Sequence, residues 1–323
     1  MMPHSPSIVS PQWRHGASFL PSIASMTPAP RPLPLTLDDG TVLAGDLYLP
    51  DSDSRSAPTV IMSHGFSATR AMGLPWFAEQ FASAGYAVYL YDHRGLGESS
   101  GEPRNVVNPW VQTHDMWEVV DQLRSRPEVH PDRIALWGSS FSGGEAIVLG
   151  ALHPEIKAVI ANAPFAGMGD LIANPTHAEQ RFIAMRVAFD NASLDVGLRE
   201  IGPMAVVLDS GIEAAVLPHP ESSEWFLANG PQNGWNNTVT MVMTTTPPFD
   251  PGACSPSLNG TALLMVVATN DEVASIAVAL DTYERASSPK RLAMIDGHHF
   301  SAYEDPGREK AFDAMVDFLD EFL

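Results

Sequence analysis

The chain has 323 residues, 45% of them hydrophobic, which is enough apolar side chain for one large core carrying an insertion. Its 38 Asp and Glu against 18 Lys and Arg give a formal charge of −20, which argues against nucleic acid and anionic membrane surfaces as partners. Cys254 is the single cysteine, so neither an intrachain disulfide nor a cysteine-rich metal site can form, and a reducing cytoplasmic location is expected.

No apolar run approaches the roughly 18–20 residues of a membrane span. Met1 to Pro30 is rich in Pro, Ser and His and lacks a basic start followed by an apolar core. It is expected to be a disordered tail rather than a secretory signal, with Met26 as an alternative start. Leu33 to Leu49 holds two extended runs around Asp38-Asp39-Gly40, a hairpin signal. Thr59 to Ser63 is a short apolar strand leading into the small-residue turn His64-Gly65-Phe66. Leu74 to Gly85 has helical spacing, and Ala87 to Tyr91 is a strand ending in Asp92-His93-Arg94-Gly95-Leu96-Gly97. Trp110 to Leu123 reads as a helix, Ile134 to Trp137 as a buried strand, Ala146 to Leu152 as a helix and Ala158 to Ala161 as a strand stopped by Pro164.

Apolar strands alternating with helices predict an α/β fold, a mostly parallel sheet covered on both faces. The alternation breaks from about Phe165 to Leu258. Thr176 to Ala192 looks helical, and the remainder is Pro-rich and irregular, with Trp225, Phe226, Trp235, Met241, Met243 and Phe249 interleaved. Residues 166–257 are therefore expected to be a cap inserted over the active face, interrupting a core of residues 31–165 and 258–323. The rhythm returns with the strand Leu263 to Ala268, the helix Ser275 to Tyr283, the strand Arg291 to Ile295 and an amphipathic helix from Lys310 to Leu323.

Chemistry concentrates at the predicted carboxyl ends of the strands, where open α/β sheets bind ligands. Trp137-Gly-Ser-Ser-Phe-Ser-Gly-Gly144 is a strand turning into a helix through small residues, the setting of a nucleophile elbow. Two frames fit. Ser140 has Gly138 two residues before it and Ser142 in place of the second glycine; Ser142 has Gly144 after it and Ser140 in place of the first. Ser140 lies nearer the strand end and is preferred. A serine needs a base and the base an orienting acid, following in the order acid then histidine. Asp271 follows the first strand after the insertion, with Glu272 and Asp296 as rivals, and His298 and His299 follow the next strand. His64 reads as a buttress of its turn and Asp92-His93-Arg94 as a structural loop network. Adjacent histidines cannot both enter one site and have no third partner at ligand spacing, so no metal and no cofactor is expected. Gly95 and Gly97 lack the Lys-Ser/Thr ending of a phosphate loop.

His64-Gly65-Phe66, Asp92-His93-Arg94-Gly95-x-Gly97-x-Ser99, the Ser140 turn, Asp271 and Gly297-His-His-Phe300 stand in the order of the α/β-hydrolase superfamily, which the chain resembles from about Leu33 to Leu323. It is most similar to the branch of dienelactone-hydrolase-like and X-prolyl-peptidase-like (S15-type) esterases that includes polyketide transferase-like and thiohydrolase-like proteins. In that branch the ending resembles Gly-Gly-His-Phe, so the resemblance assigns the base to His299 and sets His298 at a glycine position. It implies acyl transfer from an ester or thioester by Ser140, His299 and Asp271, with the oxyanion held by the N–H groups of Phe66 and Phe141. Met168, Met185, Met204, Trp225 and Phe226 are candidate apolar walls, suiting a small to medium apolar acyl substrate; Arg70 and Arg181 are the only hints of an anion site. An acyltransferase of secondary metabolism, a peptidase, a carbon–carbon hydrolase and a non-catalytic binding protein share the pattern, and a homo-oligomer is compatible with it. Haloalkane dehalogenase and epoxide hydrolase chemistry needs Asp where this chain has Ser140.

Overall fold

A computed structural model describes residues 29–51, 56–190, 198–244 and 247–323. The expected tail lies outside these residues except for Ala29 and Pro30. Along the chain come β1 (Arg31–Pro32), β2 (Leu35–Thr36), β3 (Val42–Leu43), β4 (Gly45–Tyr48), β5 (Ala57–Ser63), α1 (Leu74–Ser83), β6 (Ala87–Tyr91), β7 (Val106–Val107), α2 (Pro109–Arg124), β8 (Val129–Ser139), α3 (Phe141–Leu152) and β9 (Ala158–Asn162). The middle of the chain supplies α4 (Asp170–Ala173), α5 (Ala178–Asp190), β10 (Leu198–Val207), β11 (Ala215–Leu217), α6 (Pro220–Asn229), β12 (Val239–Thr244) and α7 (Pro251–Cys254). The last part supplies β13 (Ala262–Ala268), α8 (Ile276–Arg285), β14 (Lys290–Ile295) and α9 (Gly307–Phe322).

Eight strands form the main sheet in the order β1-β4-β6-β5-β8-β9-β13-β14. The β1–β4 and β4–β6 pairs are antiparallel and the pairs from β6 to β14 are parallel. Strand residues alternate between two cores. Ile61, Tyr89, Leu136, Leu263 and Met265 join the cluster under α2, α3 and α8. Val60, Met62, Val88, Trp137 and Leu264 join the cluster under α1 and α9. Both faces are dry, so the strands are continuous apolar runs rather than alternating ones. The hairpin expected around Asp38-Asp39-Gly40 is present: Leu35 pairs with Leu43 and Thr36 with Val42, and Gly40 takes a φ of +87° at the turn.

The segment from residue 166 to 257 is more ordered than its proline content suggests. In it β10 and β12 pair antiparallel, β11 joins β10, and β7, from outside the segment, joins β12. Pro203 is accommodated because the β10–β12 register shifts between Ile201 and Met204, and a bulge has no use for the missing N–H. On the other side, Met185 and Phe189 of α5 and Ala253 and Cys254 of α7 join the core that contains α3.

Candidate active site

The parallel register brings the ends of β5, β8, β13 and β14 to one edge of the sheet, and the predicted residues follow those ends. Ser140 sits between β8 and α3 with φ 50° and ψ −110°. A non-glycine residue held at positive φ costs on the order of 1–3 kcal/mol and needs surroundings that enforce it. Here Ser140 N–H donates to Asn162 O at 2.8 Å, and Phe165 N–H donates to Ser140 O at 2.9 Å, tying the turn to the end of β9. Gly138 has to be glycine, because a Cβ there would lie 2.1 Å from Ser142 O.

Ser140 Oγ lies 3.0 Å from His299 Nε2, and His299 Nδ1 lies 2.7 Å from Asp271 Oδ2. The other Asp271 oxygen accepts the N–H groups of Val273 at 2.9 Å and Ala274 at 2.7 Å, so the carboxylate cannot swing away from the ring. The rivals are placed elsewhere. Glu272 and Asp296 have side chains 73% and 92% exposed. His298 Nδ1 accepts the Phe300 N–H at 3.2 Å, folded back on its own turn. Ser142 Oγ is buried, 2.6 Å from His64 O.

Phe141 is the first residue of α3, so its N–H has no acceptor within the helix. The His64-Gly65-Phe66 turn lies against the elbow: a Cβ on Gly65 would stand 3.2 Å from both Ser139 O and Ser140 Cβ. The Phe66 and Phe141 rings meet edge to face at 5.7 Å. His64 and His93 are fully buried, and burial depresses both, His93 strongly, so both rings are neutral. The Asp92 carboxylate opposes the shift at His64.

A cavity of about 440 Å³, counting its open mouth, reaches Ser140 and His299. Its walls are Phe66, Ala68, Met72, Leu74 and Val273 from the core, Phe300 and Tyr303 from the turn after β14, and Leu217, Trp225 and Phe226 from the inserted segment. The Trp225 and Phe300 rings stack at 4.8 Å. Of the five wall candidates only Trp225 and Phe226 line this cavity. Met185 is instead buried against Cys254 in the core beside α3, and Met168 is 72% exposed. Helical spacing marks a methionine as facing something apolar, and for Met185 that is the core. Met204 packs on the cluster around Trp225 without lining the cavity. Neither arginine is available to a substrate: Arg70 is held by Asp46, Asp92 and Glu98, and Arg181 by Asp250 and Asp170.

Sequence reasoning missed Ser139 and Tyr303, whose hydroxyls are hydrogen-bonded to each other at the cavity wall. Burial raises the Tyr303 phenol to about 12, so it is neutral. No sequence pattern flags a tyrosine in the loop four residues past the histidine.

Residues 39–301 match the model of the X-Pro dipeptidyl-peptidase (S15) family. The chain belongs to that family. It is 28% identical over 298 residues to the thiohydrolase aneE of Aspergillus aculeatus, covering 88% of this chain and 91% of that protein. It is 28% identical over 294 residues to the quorum-quenching protein AidA of Acinetobacter baumannii, covering 89% of this chain and 94% of that protein. The crystal structure of the alpha/beta hydrolase GrgF from Penicillium sp. sh18 superposes with a TM-score of 0.70 at 24% identity, covering 91% of this chain and 98% of that one. This S15 member thus has the α/β-hydrolase fold.

Proposed function

We propose that this S15-family chain is a serine hydrolase cleaving an ester or thioester of a small to medium apolar acyl group. The observation that carries the reading is the continuous hydrogen-bonded run from Ser140 Oγ through His299 to Asp271, at 3.0 and 2.7 Å. His299 Nε2 takes the Ser140 proton as Oγ attacks the acyl carbonyl, and Asp271 stabilises the imidazolium that results. The Phe66 and Phe141 N–H groups receive the oxyanion, a contribution of about 3 kcal/mol per donor in the transition state. His299 then protonates the departing alkoxide or thiolate. Water, deprotonated by the same ring, attacks the acyl-Ser140 ester, releasing the acid and restoring the serine.

The substrate class follows from the walls. They are apolar, and among the lining residues there is no carboxylate and no Lys or Arg. A dipeptidyl-peptidase must hold the free ammonium of its substrate, which calls for a carboxylate in the pocket; an apolar acyl group needs none. The relative named a thiohydrolase supports a thioester as readily as an oxygen ester. The inserted segment serves as the cap, because Leu217, Trp225 and Phe226 supply the wall facing the sheet.

Labelling with a fluorophosphonate and mass mapping tests this reading. Label is expected on the Ser140 peptide and absent in Ser140→Ala, alongside hydrolysis of short acyl esters and thioesters. Label on Ser142, or full turnover by Ser140→Ala, would refute the assignment. Adding alcohols or amines to the same assay distinguishes hydrolysis from acyl transfer by partition: in a hydrolase water remains the main acceptor, whereas in a transferase a dilute acceptor outcompetes it.

A further inference from the structure

We infer that Ser142 is a positioning residue: its hydroxyl pins the loop that carries the Phe66 N–H to the nucleophile turn, with protonated Glu145 orienting that hydroxyl. The inference rests on the reading of Ser140 as nucleophile and of Phe66 N–H as an oxyanion donor.

Ser142 Oγ has three polar neighbours: His64 O at 2.6 Å, Glu145 Oε2 at 2.8 Å and His93 Nε2 at 2.8 Å. It has one proton to give. The His64 carbonyl can only accept, so the Ser142 O–H goes there. The other two neighbours must then donate to the Ser142 lone pairs, His93 through Nε2–H and Glu145 through a protonated carboxyl. Ser142 and His93 are 1% exposed and Glu145 is fully buried, so no solvent competes. Burial, which pushes Glu145 up to about 8 and His93 well below its ordinary value, suits this one arrangement of protons.

The pinned carbonyl belongs to the residue that sets the donor. His64 Nε2 accepts the His93 N–H at 3.1 Å, so the ring proton is on Nδ1, which donates to Gly65 O at 2.9 Å. The Gly65–Phe66 peptide is trans, so its N–H points opposite to its C=O. Holding Gly65 O therefore aims the Phe66 N–H. The bonds close a circuit from Ser142 to His64 to His93 and back to Ser142. A glycine at 142, as in the Gly-x-Ser-x-Gly form of the elbow, would leave the circuit open.

Ionised Glu145 would have no proton to give, and as the stronger acceptor it would draw the Ser142 O–H away from His64 O. The groups facing Glu145 are Ser142 on its own helix, Tyr91 at the end of β6, His93 in the loop that follows and Asp115 of α2, itself paired with Arg94. Asp115 adds to the rise at Glu145.

The isosteric pair Ser142→Thr and Ser142→Val, with Glu145→Gln and Ser140→Ala, tests the circuit on one short ester, each variant checked for folding by circular dichroism. Ser142→Val is expected to lose roughly tenfold to hundredfold in kcat with KM little changed, short of the roughly 10²–10³ that deleting a donor outright costs. Ser142→Thr should stay within about threefold of the parent, because it keeps the hydroxyl. Glu145→Gln, whose amide N–H₂ still donates to Ser142, should keep the rate and lack the fall in kcat expected of the parent above about pH 8. Equal kcat in the Thr and Val variants would overturn the positioning role while leaving an inactive Ser140→Ala, and hence the hydrolase reading, intact. An unchanged alkaline fall in Glu145→Gln would overturn the role of Glu145. If Ser142→Val does not fold, Ser142→Ala, which removes only the hydroxyl, takes its place in the comparison. Turnover by Ser140→Ala would remove the hydrolase reading, and the inference with it.

Discussion

Replacing Glu145 with Gln should change how the stability of the protein responds to pH. Glu145 is fully buried beside Ser142, and burial raises its carboxyl from the ordinary 4.5 to about 8. The folded state then holds a proton that the unfolded chain has already lost. Stability from this group is fully present below about pH 4.5, falls as pH rises, and levels off above about pH 8. Within that window the slope is about 1.4 kcal/mol per pH unit. Between about pH 5.5 and 7.5 the parent should therefore lose about 3 kcal/mol more than Glu145→Gln, which cannot ionise yet keeps a donor for Ser142 Oγ. Urea unfolding of both proteins at the two pH values measures this, because ionisable groups that do not interact with Glu145 cancel in the difference, and Asp115, which does, is neutralised alike in both by Asp115→Asn. Parallel pH dependences would show that Glu145 is ionised in the folded protein and would refute the proton arrangement.

Asp271→Asn should fold normally and lose about 10⁴ in kcat, because an amide cannot stabilise the imidazolium at His299; an ester assay with a denaturation control reads this. Arg70→Ala leaves the Asp92 carboxylate, 1% exposed, without the guanidinium it faces, and should cost about 3–5 kcal/mol in urea unfolding. A loss near zero would mean that the backbone N–H groups of Arg70 and Glu98 on Asp92, at 2.7 and 3.0 Å, suffice. Trp225→Ala removes the ring stacked on Phe300 and enlarges the cavity, so the preferred acyl chain should lengthen in a series of p-nitrophenyl esters. An unchanged chain-length profile would place the acyl group elsewhere.

The core was legible in the sequence because its information is local. Strands β5, β6, β9 and β13, and the Ile134–Trp137 part of β8, are short apolar runs closed by a glycine, proline or polar cluster, and burial on both faces requires such runs. Once those strands are parallel, residues that follow their ends must meet, so Ser140, Asp271 and His299 converge although 159 residues separate the first from the last. In the segment from 166 to 257 the helix expected over Thr176 to Ala192 is present as α5, Ala178–Asp190, but its sheet was not legible, for the same reason in reverse. Strand β10 pairs with β12 across a bulge at Pro203, and β12 finds its other neighbour in Val106–Val107. No local pattern announces a two-residue partner more than a hundred positions away, and a proline reads as a break until the bulge that absorbs it is seen.

The same distinction separates the proposed chemistry from the proposed selectivity. A nucleophile, base and acid must sit at fixed strand ends, and residue type there narrows the candidates sharply: Glu272 and Asp296 point to solvent and His298 folds back on its own turn, while Asp271 and His299 are hydrogen-bonded to each other. A wall residue needs only to be apolar, a property shared by the whole core. Met185 and Trp225 carry equivalent signals in the sequence, yet one is buried against Cys254 in the core beside α3 and the other lines the cavity that reaches Ser140. The buried polar residues resolve this ambiguity better than the apolar ones do. Ser142 Oγ, His93 Nε2 and Glu145 Oε2 have no solvent to satisfy them and are matched by specific partners, while His93 Nδ1 and Glu145 Oε1 are buried without one. Those partners join the Phe66 turn to the Ser140 turn, the two backbone segments between which the proposed acyl carbonyl would bind. On the proposed reading selectivity is left to the cavity walls, where Leu217, Trp225 and Phe226 stand apart from the hydrogen bonds of the buried circuit.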